Sequence, residues 1–511
     1  MRSKNIKKWS FRVATLFLFL TTLIIAASVI FINQLIDSIY GGKISLVNHS
    51  QFQTDINPTV ITNVSILSPD GMKMLPDRTV LLKDGLIHSI TEDPTNLGGM
   101  SVINGQGKFL IPGLIDSHIH LQFSPNDLLL YVANGVTEVR EMSGSKAHLR
   151  LRQEIKNGRI GPRIFVASPQ LVTAERFQGW FQDSTRFTHS TQSVKRAEAA
   201  ARSFAEINYD GLKLYAFLEP ESYRAVLNFA EELGIPTIGH LPEGMPLSEL
   251  RTIKLQQIGH IEEIVKALLV EFGDYNDKGS EAFIRYVESR KNEIVSDLIT
   301  NNISVHSTLW FSESIKKQVF GLESLLSELP LEYANPGIVE GSEISGTGWL
   351  PGSNRFENYA SNDPKERVLD TQFWSARIEA HYILLKAMVE KGVNVLAATD
   401  AGTTLTIPGF SLHDELKALN RSGMTPAQSL YAATAAPAKL TNNNAGLIEK
   451  GRRADLILLD KNPLVDIENT ASIRMVILNG RVLDRTQLDT MLLAVKSTNA
   501  KSRNFDLSVL Q

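Results

Sequence analysis

Short apolar runs recur along the middle of this chain, at 111–117, 136–140, 163–167, 211–215, 236–240, 256–260, 303–309 and 394–400, with helical patterns between them. Ser193 to Ile207, Ser222 to Leu233 and Trp374 to Lys391 are the clearest of those helices. A strand–helix–strand alternation forces parallel pairing, because each helix carries the chain back to the same edge of the sheet. The pattern alone admits seven, eight or nine strands. The favoured solution is an α/β fold of the (β/α)₈ TIM barrel type. The stretch from Gly321 to Lys365 breaks the rhythm and is rich in Gly, Pro, Ser and Asn, so it reads as a lid over the site or a disordered insertion.

Two β-rich pieces flank this middle. Val60 to Leu67 and Thr79 to Ile90 alternate, with a Lys83-Asp84-Gly85 turn between apolar runs. Ala454 to Asp460 and Met475 to Val482 repeat the texture, with Asn479-Gly480 as a second hairpin turn. Residues 58–109 and 444–485 are therefore expected to form one small β-sandwich domain from both chain ends, around a barrel at 110–443. The tail, 486–511, carries no readable role.

Lys7, Lys8 and Arg12 precede a run from Val13 to Ile32 without charge or proline. As a helix it rises roughly 30 Å at ~1.5 Å per residue, the thickness of a bilayer core. Ala26-Ala27-Ser28 lies inside the run, where a cleavage site would follow a shorter one, so an uncleaved transmembrane anchor is expected. The basic flank places residues 1–12 in the cytoplasm and the rest on the outer, periplasmic or extracytoplasmic side. Residues 33–57 are polar and unpatterned and read as a tether. The 511 residues are 43% hydrophobic, a globular composition, and a net charge of -3 argues against a nucleic-acid partner. With no cysteine, thiolate ligands, disulfides and cysteine nucleophiles are excluded.

Barrel enzymes carry their reactive groups at the C-terminal ends of the strands. The first strand ends in Asp116-Ser117-His118-Ile119-His120, whose alternation points both imidazoles the same way. Lys213 lies among apolar residues, His240 and His260 end the next two runs, and Asp400 ends an apolar run at 395–400. Singly, each reads equally as a satisfied core polar group. Together they suggest a metal site.

The markers Ile111-Pro112-Gly113-Leu114-Ile115-Asp116-Ser117-His118-Ile119-His120, Gly135-Val136-Thr137, Lys213, His240, His260 and Ala398-Thr399-Asp400-Ala401-Gly402 resemble the amidohydrolase superfamily. So do Gly423-Met424-Thr425-Pro426, Ala432-Ala433-Thr434 and Gly446 to Leu456. The likeness is to its imidazolonepropionase-like and Xaa-Pro dipeptidase-like branch, from about Val60 to Val482. The resemblance implies a metal-dependent hydrolase of carbon–nitrogen bonds (amide, peptide or cyclic amide) working through a metal-bridging hydroxide. His118, His120 and Asp400 would hold a buried ion, and His240 and His260 an exposed one. Lys213 would bridge them as a CO₂-derived carbamate. Two zinc ions suit such ligands, although manganese, iron and cobalt fit the same set. Asp400 would be the general base and then acid. Tyr215, His306 and Arg140 are the candidate substrate contacts, and a small molecule or dipeptide the expected substrate. His306 reads equally as a buried structural histidine, and His381 and His413 read as structural. Glu141-Met142-Ser143-Gly144, Ala436 and Leu241-Pro242 depart from the family pattern, which puts inherited substrate contacts in doubt. Two other readings stay open: a deaminase with one ion and no carbamate, and a non-catalytic, metal-stabilised scaffold at the membrane.

Overall fold

The computed structural model describes residues 2–92, 99–342 and 346–510. Eight parallel strands carry the site, numbered here β1 (Leu114–Ile119), β2 (Val136–Glu141), β3 (Arg163–Val166), β4 (Leu212–Leu214), β5 (Thr237–Gly239), β6 (Gln257–Ile258), β7 (Ser304–His306) and β8 (Val395–Leu396). All eight expected runs contain one of them. The first three pair in register, Asp116 opposite Val139 and Val139 opposite Ile164. The other five follow in chain order. Parallel bridges Ala167–Gly211 and Ile119–Ala401 join the two arcs into a TIM-type barrel. These strands are short and apolar because both faces are covered, by packed side chains within and helices outside.

An excursion after β3 has no counterpart in the periodicity. Gln170–Thr173 pairs with β4 and with Thr188–Thr191, and the helix Arg176–Thr185 lies between them. Four-residue strands are too short for alternation to register.

The chain-end pieces form one eight-stranded mixed sheet. Its order is Arg481–Asp484, Ile473–Leu478, Leu456–Leu459, Phe109–Pro112, Thr59–Leu67, Met74–Lys83 and Leu86–Thr91, with Ser101–Asn104 on Thr59–Leu67. Both expected hairpin turns are present. Asp84-Gly85 and Asn479-Gly480 have positive φ throughout, as a two-residue turn with the strands' own twist requires. The turns abut, since a Cβ on Gly480 would lie 2.9 Å from the Gly85 Cα.

Three outer segments differ from their sequence reading. The N-terminal helix spans Arg2–Ile39, and within its apolar part, Arg12–Ile39, an 18-residue stretch has a mean hydropathy of 2.6 with none of it buried. The expected tether is no slack linker. Gly41 O accepts from Asn335 Nδ2 at 3.0 Å, Asn126 clamps Ser45 O and Val47 N, and Val47 and Phe52 are buried. Its polar backbone groups are answered by side-chain amides far away in the chain, which composition cannot reveal. The insertion is anchored by buried side chains: Trp349, Leu350 and Phe356 are buried, and Phe356 clusters with Phe311, Ile315, Val319 and Trp374. Residues 343–345 lie outside the described residues. The tail forms the helix Arg485–Ala500, opened by a capping box between Asp484 and Gln487, with Leu488, Met491 and Val495 buried.

Candidate metal centre

At the C-terminal rim of the barrel the six expected ligands converge. His118, His120 and Asp400 offer ligand atoms all within 4.8 Å of one another. The His118 ring lies 4.4 Å from that of His260 and 5.3 Å from that of His120, and His240 lies 4.9 Å from His260. Lys213 is wholly buried, with its Nζ 3.2 Å from where a Gly259 Cβ would stand, so any larger residue at 259 would fill the cradle.

The imidazoles are oriented alike. His118 Nδ1 donates to Gly259 O at 2.9 Å, which assigns the lone pair to Nε2. His240 Nδ1 faces Glu263 Oε1 at 3.1 Å and His260 Nδ1 faces Thr308 Oγ1 at 3.2 Å. His120 Nδ1 lies 3.8 Å from Glu141 Oε1, with Nε2 3.1 Å from Asp400 Oδ1. Nδ1 thus has a neighbour on each ring, and the Nε2 atoms of His118 and His120 face Asp400 Oδ1, as in metal-ligating histidines oriented by an outer partner. Three buried atoms are left without a hydrogen bond: His118 Nε2, Lys213 Nζ and Asp400 Oδ1. A buried polar atom costs free energy when unpaired, so three in one spot fit divalent cations better than a self-sufficient core.

Charge states agree at three of the four imidazoles; at His120 burial acts downward, but the Asp400 and Glu141 carboxylates prevail and raise it to about 9. Burial pushes the His118, His240 and His260 pKa down, which favours the neutral ligand form. Burial also lowers the Lys213 amine to about 8. For Asp400 burial acts upward, but the close His120 imidazole, the His260 ring and the Lys213 amine prevail and hold it well below the carboxylate range.

Local backbone explains the placement. Asp400 adopts φ 58°, a left-handed conformation that non-glycine residues take at a cost and that concentrates at functional sites. Thr403 and Thr406 hydroxyls donate to its carbonyl at 2.6 and 3.0 Å. Gly402 has φ 93°, and a Cβ there would collide with His120 O. Asp116 ties β1 to β8 through the Thr399 hydroxyl at 2.6 Å and amide at 3.1 Å.

Of the three expected substrate contacts, Tyr215 alone lines the cavity above the rim, its ring 4.5 Å from His240. Arg140 and His306 sit beneath the site, wholly buried. Arg140 Nη2 donates to Gln257 Oε1 at 2.7 Å, His306 Nε2 donates to the same oxygen at 3.2 Å, and His306 Nδ1 is 3.3 Å from His118 Nδ1. They form a relay that orients His118. His381 bonds Arg377 O, and His413 bridges Thr470 and Asn134 O; both are structural. Two supporting residues escape the sequence reading. Glu263 stands three positions after His260, a spacing that could have flagged it, whereas Glu141 appears there merely as a departure from pattern. The cavity is about 840 Å³, with Tyr40, Phe187, Phe217 and Phe311 on its walls together with Arg186, Lys266 and Arg355.

A TIM-type barrel with histidines, a lysine and an aspartate converging at its C-terminal rim is the architecture of a metal-dependent hydrolase class. The amidohydrolase family profile matches residues 109–483, and the chain belongs to that family of hydrolytic enzymes. Among characterised proteins it is similar to the L-hydantoinase of Paenarthrobacter aurescens, 31% identical over 62 residues, 12% of this chain and 13% of that one. It is 27% identical to the ochratoxinase of Aspergillus niger over 187 residues, 35% of each chain. The chain thus spans about a third or less of those two relatives. A 5'-deoxyadenosine deaminase of Methanococcoides burtonii is 21% identical over 448 residues, covering 83% of this chain and 92% of that one. Among solved structures, a bottromycin amidohydrolase superposes with a TM-score of 0.64 at 20% identity, covering 90% of this chain and 94% of the other. A Xaa-Pro dipeptidase with bound methionine gives 0.60 at 18% identity, covering 84% and 100%.

Proposed function

We propose that this chain is a metal-dependent hydrolase of amide, peptide or cyclic amide bonds whose substrate carries a free carboxylate. The observation behind this reading is that His118 Nε2 and Lys213 Nζ, wholly buried and without a hydrogen bond, meet the Asp400 carboxylate amid the His120, His240 and His260 rings. In it, His118, His120 and Asp400 hold one ion, His240 and His260 a second, and Lys213 sits between them as a carbamate. Two divalent ions bound there, zinc for so imidazole-rich a set, would polarise a carbonyl and acidify a water. Asp400 accepts the proton of the attacking water on its free carboxylate oxygen and passes it to the departing nitrogen. The Arg140–Gln257–His306 relay keeps His118 in the tautomer that presents Nε2. Arg186 and Arg355 line the cavity, and neither forms an ion pair among the described residues, so they are free to bind the substrate carboxylate.

Metal analysis alongside a dipeptide and lactam screen tests the reading. Two ions per chain and hydrolysis, both lost in Lys213→Ala, are expected. Inactivity of the metal-replete protein on the whole screen refutes it. The alignment with a deaminase over most of both chains supports a second reading. A single ion, indifferent to Lys213→Ala, with ammonia released from an aminopurine, would select that one. The apolar helix acts as an uncleaved anchor with its N-terminus in the cytoplasm and the barrel outside; release of the protein from membranes by alkaline carbonate would refute that. The chain-end pieces, 58–109 with 444–485, constitute one β domain beside the barrel, built on a single mixed sheet where a sandwich was expected.

A further inference from the structure

The membrane helix and the catalytic cavity share a wall. Tyr40 follows directly on the helix Arg2–Ile39 and lines the cavity, its ring 4.7 Å from Phe187 and 5.8 Å from Phe123. The backbone beyond it is fastened down: Phe123 N donates to Tyr40 O, Gly42 N to Asp37 O, and Asn335 Nδ2 to Gly41 O. No free linker intervenes between the end of the apolar helix and the mouth, so a bilayer around that helix must lie beside the mouth.

The second observation is the helix Arg176–Thr185 on the same rim. Gln178 and Gln182, one turn apart, face the cavity. Phe177, Trp180 and Phe181 occupy the neighbouring stripe at i, i+3 and i+4, and they are 80%, 57% and 51% exposed. The helix is not loosely held: a Gly179 Cβ would lie 2.7 Å from the Ser190 Cβ, and Asp183 accepts from the Ser190 amide and hydroxyl at 2.8 Å. Phe217, next along the cavity wall, is also 61% exposed. Arg176 and Arg186 flank the stripe. Aromatic residues beside basic ones on a short amphipathic helix suit the headgroup region of a bilayer, and water gives no reason to keep such a patch in the open.

We propose that the mouth opens onto the bilayer surface, with the aromatic face of helix 176–185 sunk among the headgroups, and that the substrate is an N-acylated amino acid or peptide drawn from the membrane. Its acyl chain stays with the lipid along the Phe187–Phe217 wall. Its amide reaches the metal centre, and its carboxylate meets Arg186 and Arg355. Water divides across the carbon–nitrogen bond: its hydroxyl goes to the acyl carbon and its hydrogen to the nitrogen, leaving a fatty carboxylate and a free amine. The substrate half rests on the hydrolase reading above; the docking of the rim does not.

The test uses the full-length protein in phosphatidylcholine–phosphatidylglycerol vesicles with brominated acyl chains, which quench nearby tryptophan. The chain has five tryptophans. A component of the quenching that disappears in Trp180→Phe is expected; equal quenching in both proteins overturns the docking. With long-chain N-acyl amino acid in the vesicles, the double variant Phe177→Ser/Trp180→Ser should lose about tenfold in kcat/KM, given the apolar area withdrawn from lipid. On soluble N-acetyl amino acid it should stay within about twofold, because neither side chain lines the cavity. An equal loss on both substrates, or on neither, overturns the membrane route. A wild type that cleaves neither while Trp180 is quenched overturns the substrate half and leaves the docked rim standing; the hydrolase reading falls only if the dipeptide and lactam screen is negative as well. Detergent-solubilised dimers that dissociate in the double variant, with Trp180 unquenched in vesicles, would assign the patch to a second copy and overturn the proposal.

Discussion

The two ends of the barrel both bury charged side chains, and they treat them oppositely. At the N-terminal end a cavity of about 660 Å³ is lined by Arg152, Arg163, Arg453, Glu138, Asp210 and Asp455 among others. There charges consume one another: Arg453 bonds Asp455 Oδ2 at 2.8 Å and Glu138 Oε2 at 3.2 Å, Asn443 also donates to Glu138, and Arg152 pairs with Asp210. At the C-terminal end the hydrogen bonds run outward, away from the centre, and His118 Nε2, Lys213 Nζ and Asp400 Oδ1 are left over. The first arrangement pairs its carboxylates within the protein, leaving Arg159 Nε without a hydrogen bond, and joins the barrel to the chain-end sheet. The second is complete only with something else bound. Burial of charge does not by itself mark a site; burial with bonding capacity unspent does.

Substitutions at the two ends should therefore part activity from stability. Asp400→Asn keeps shape and removes the proposed proton acceptor, so kcat should fall by roughly 10³-fold or more, the upper range for a general base. Its circular dichroism and thermal midpoint should stay near wild type; retained turnover would break the contrast at its strong end. Arg453→Met should do the reverse. It strands Glu138 and Asp455, which are nearly inaccessible, and loss of one partner of a buried pair costs about 3–5 kcal/mol. The denaturation midpoint should drop sharply while kcat per folded molecule is kept. An Arg453→Met enzyme that is fully stable but inactive would show that the lower cluster is no mere fastening.

A subtler change sharpens the upper end. Glu263→Gln leaves His240 in place but replaces the carboxylate behind Nδ1 with an amide that can turn either its oxygen or its nitrogen to the ring. Outer partners of this kind are worth about 10–100-fold in metal affinity. Metal titration of the apoprotein should show one of two ions weakened by that factor. Two unaltered affinities would mean that Glu263 does not orient a ligand.

Much of this centre was legible because strand alternation is a strict rule: His118 and His120, two apart at the end of a strand, must share a face. Alternation tells inside from outside but not height along the barrel. Arg140 on β2 and His306 on β7 also point inwards, yet end up below the ring of ligands, and only three-dimensional packing decides that. Glu263 belongs to the helix Glu262–Phe272, so no strand rule reaches it. The docked segment after the apolar N-terminal helix was illegible for another reason. Its polar sequence is compatible with water, and the amides that fasten it, Asn126 and Asn335, lie tens to hundreds of residues further along the chain. The tail helix did carry a local sign, the Asp484–Gln487 cap spacing, which needs an apolar stripe beyond it to be convincing.

Asp127 supplies the smallest and most discriminating test, because it is as buried as Asp400 but has the opposite surroundings. Its carboxyl hydrogen-bonds Ser124, no cation pairs with it among the described residues, and it acts on the Tyr131 phenol, itself buried. Burial therefore prevails and pushes its pKa up from 3.8 to about 7. The folded state holds a proton that the unfolded chain has released between those two values. Its contribution to stability is thus fully present below pH 3.8 and is lost as pH rises through about 7. The thermal midpoint of the wild type should fall between pH 5 and pH 8. Asp127→Asn, which keeps a hydrogen bond to Ser124 and cannot ionise, should fall less. The slope should shrink rather than vanish, since Glu415, bonded to the Ser307 hydroxyl and the Leu309 and Trp310 amides, is also raised to about 7 by burial. Asp400 lies on the other side of the same balance, its charge kept by imidazoles and an amine. An Asp127→Asn profile parallel to the wild type would mean that neutral surroundings do not protonate a buried carboxyl here, and the contrast between the two aspartates would have to rest on geometry alone.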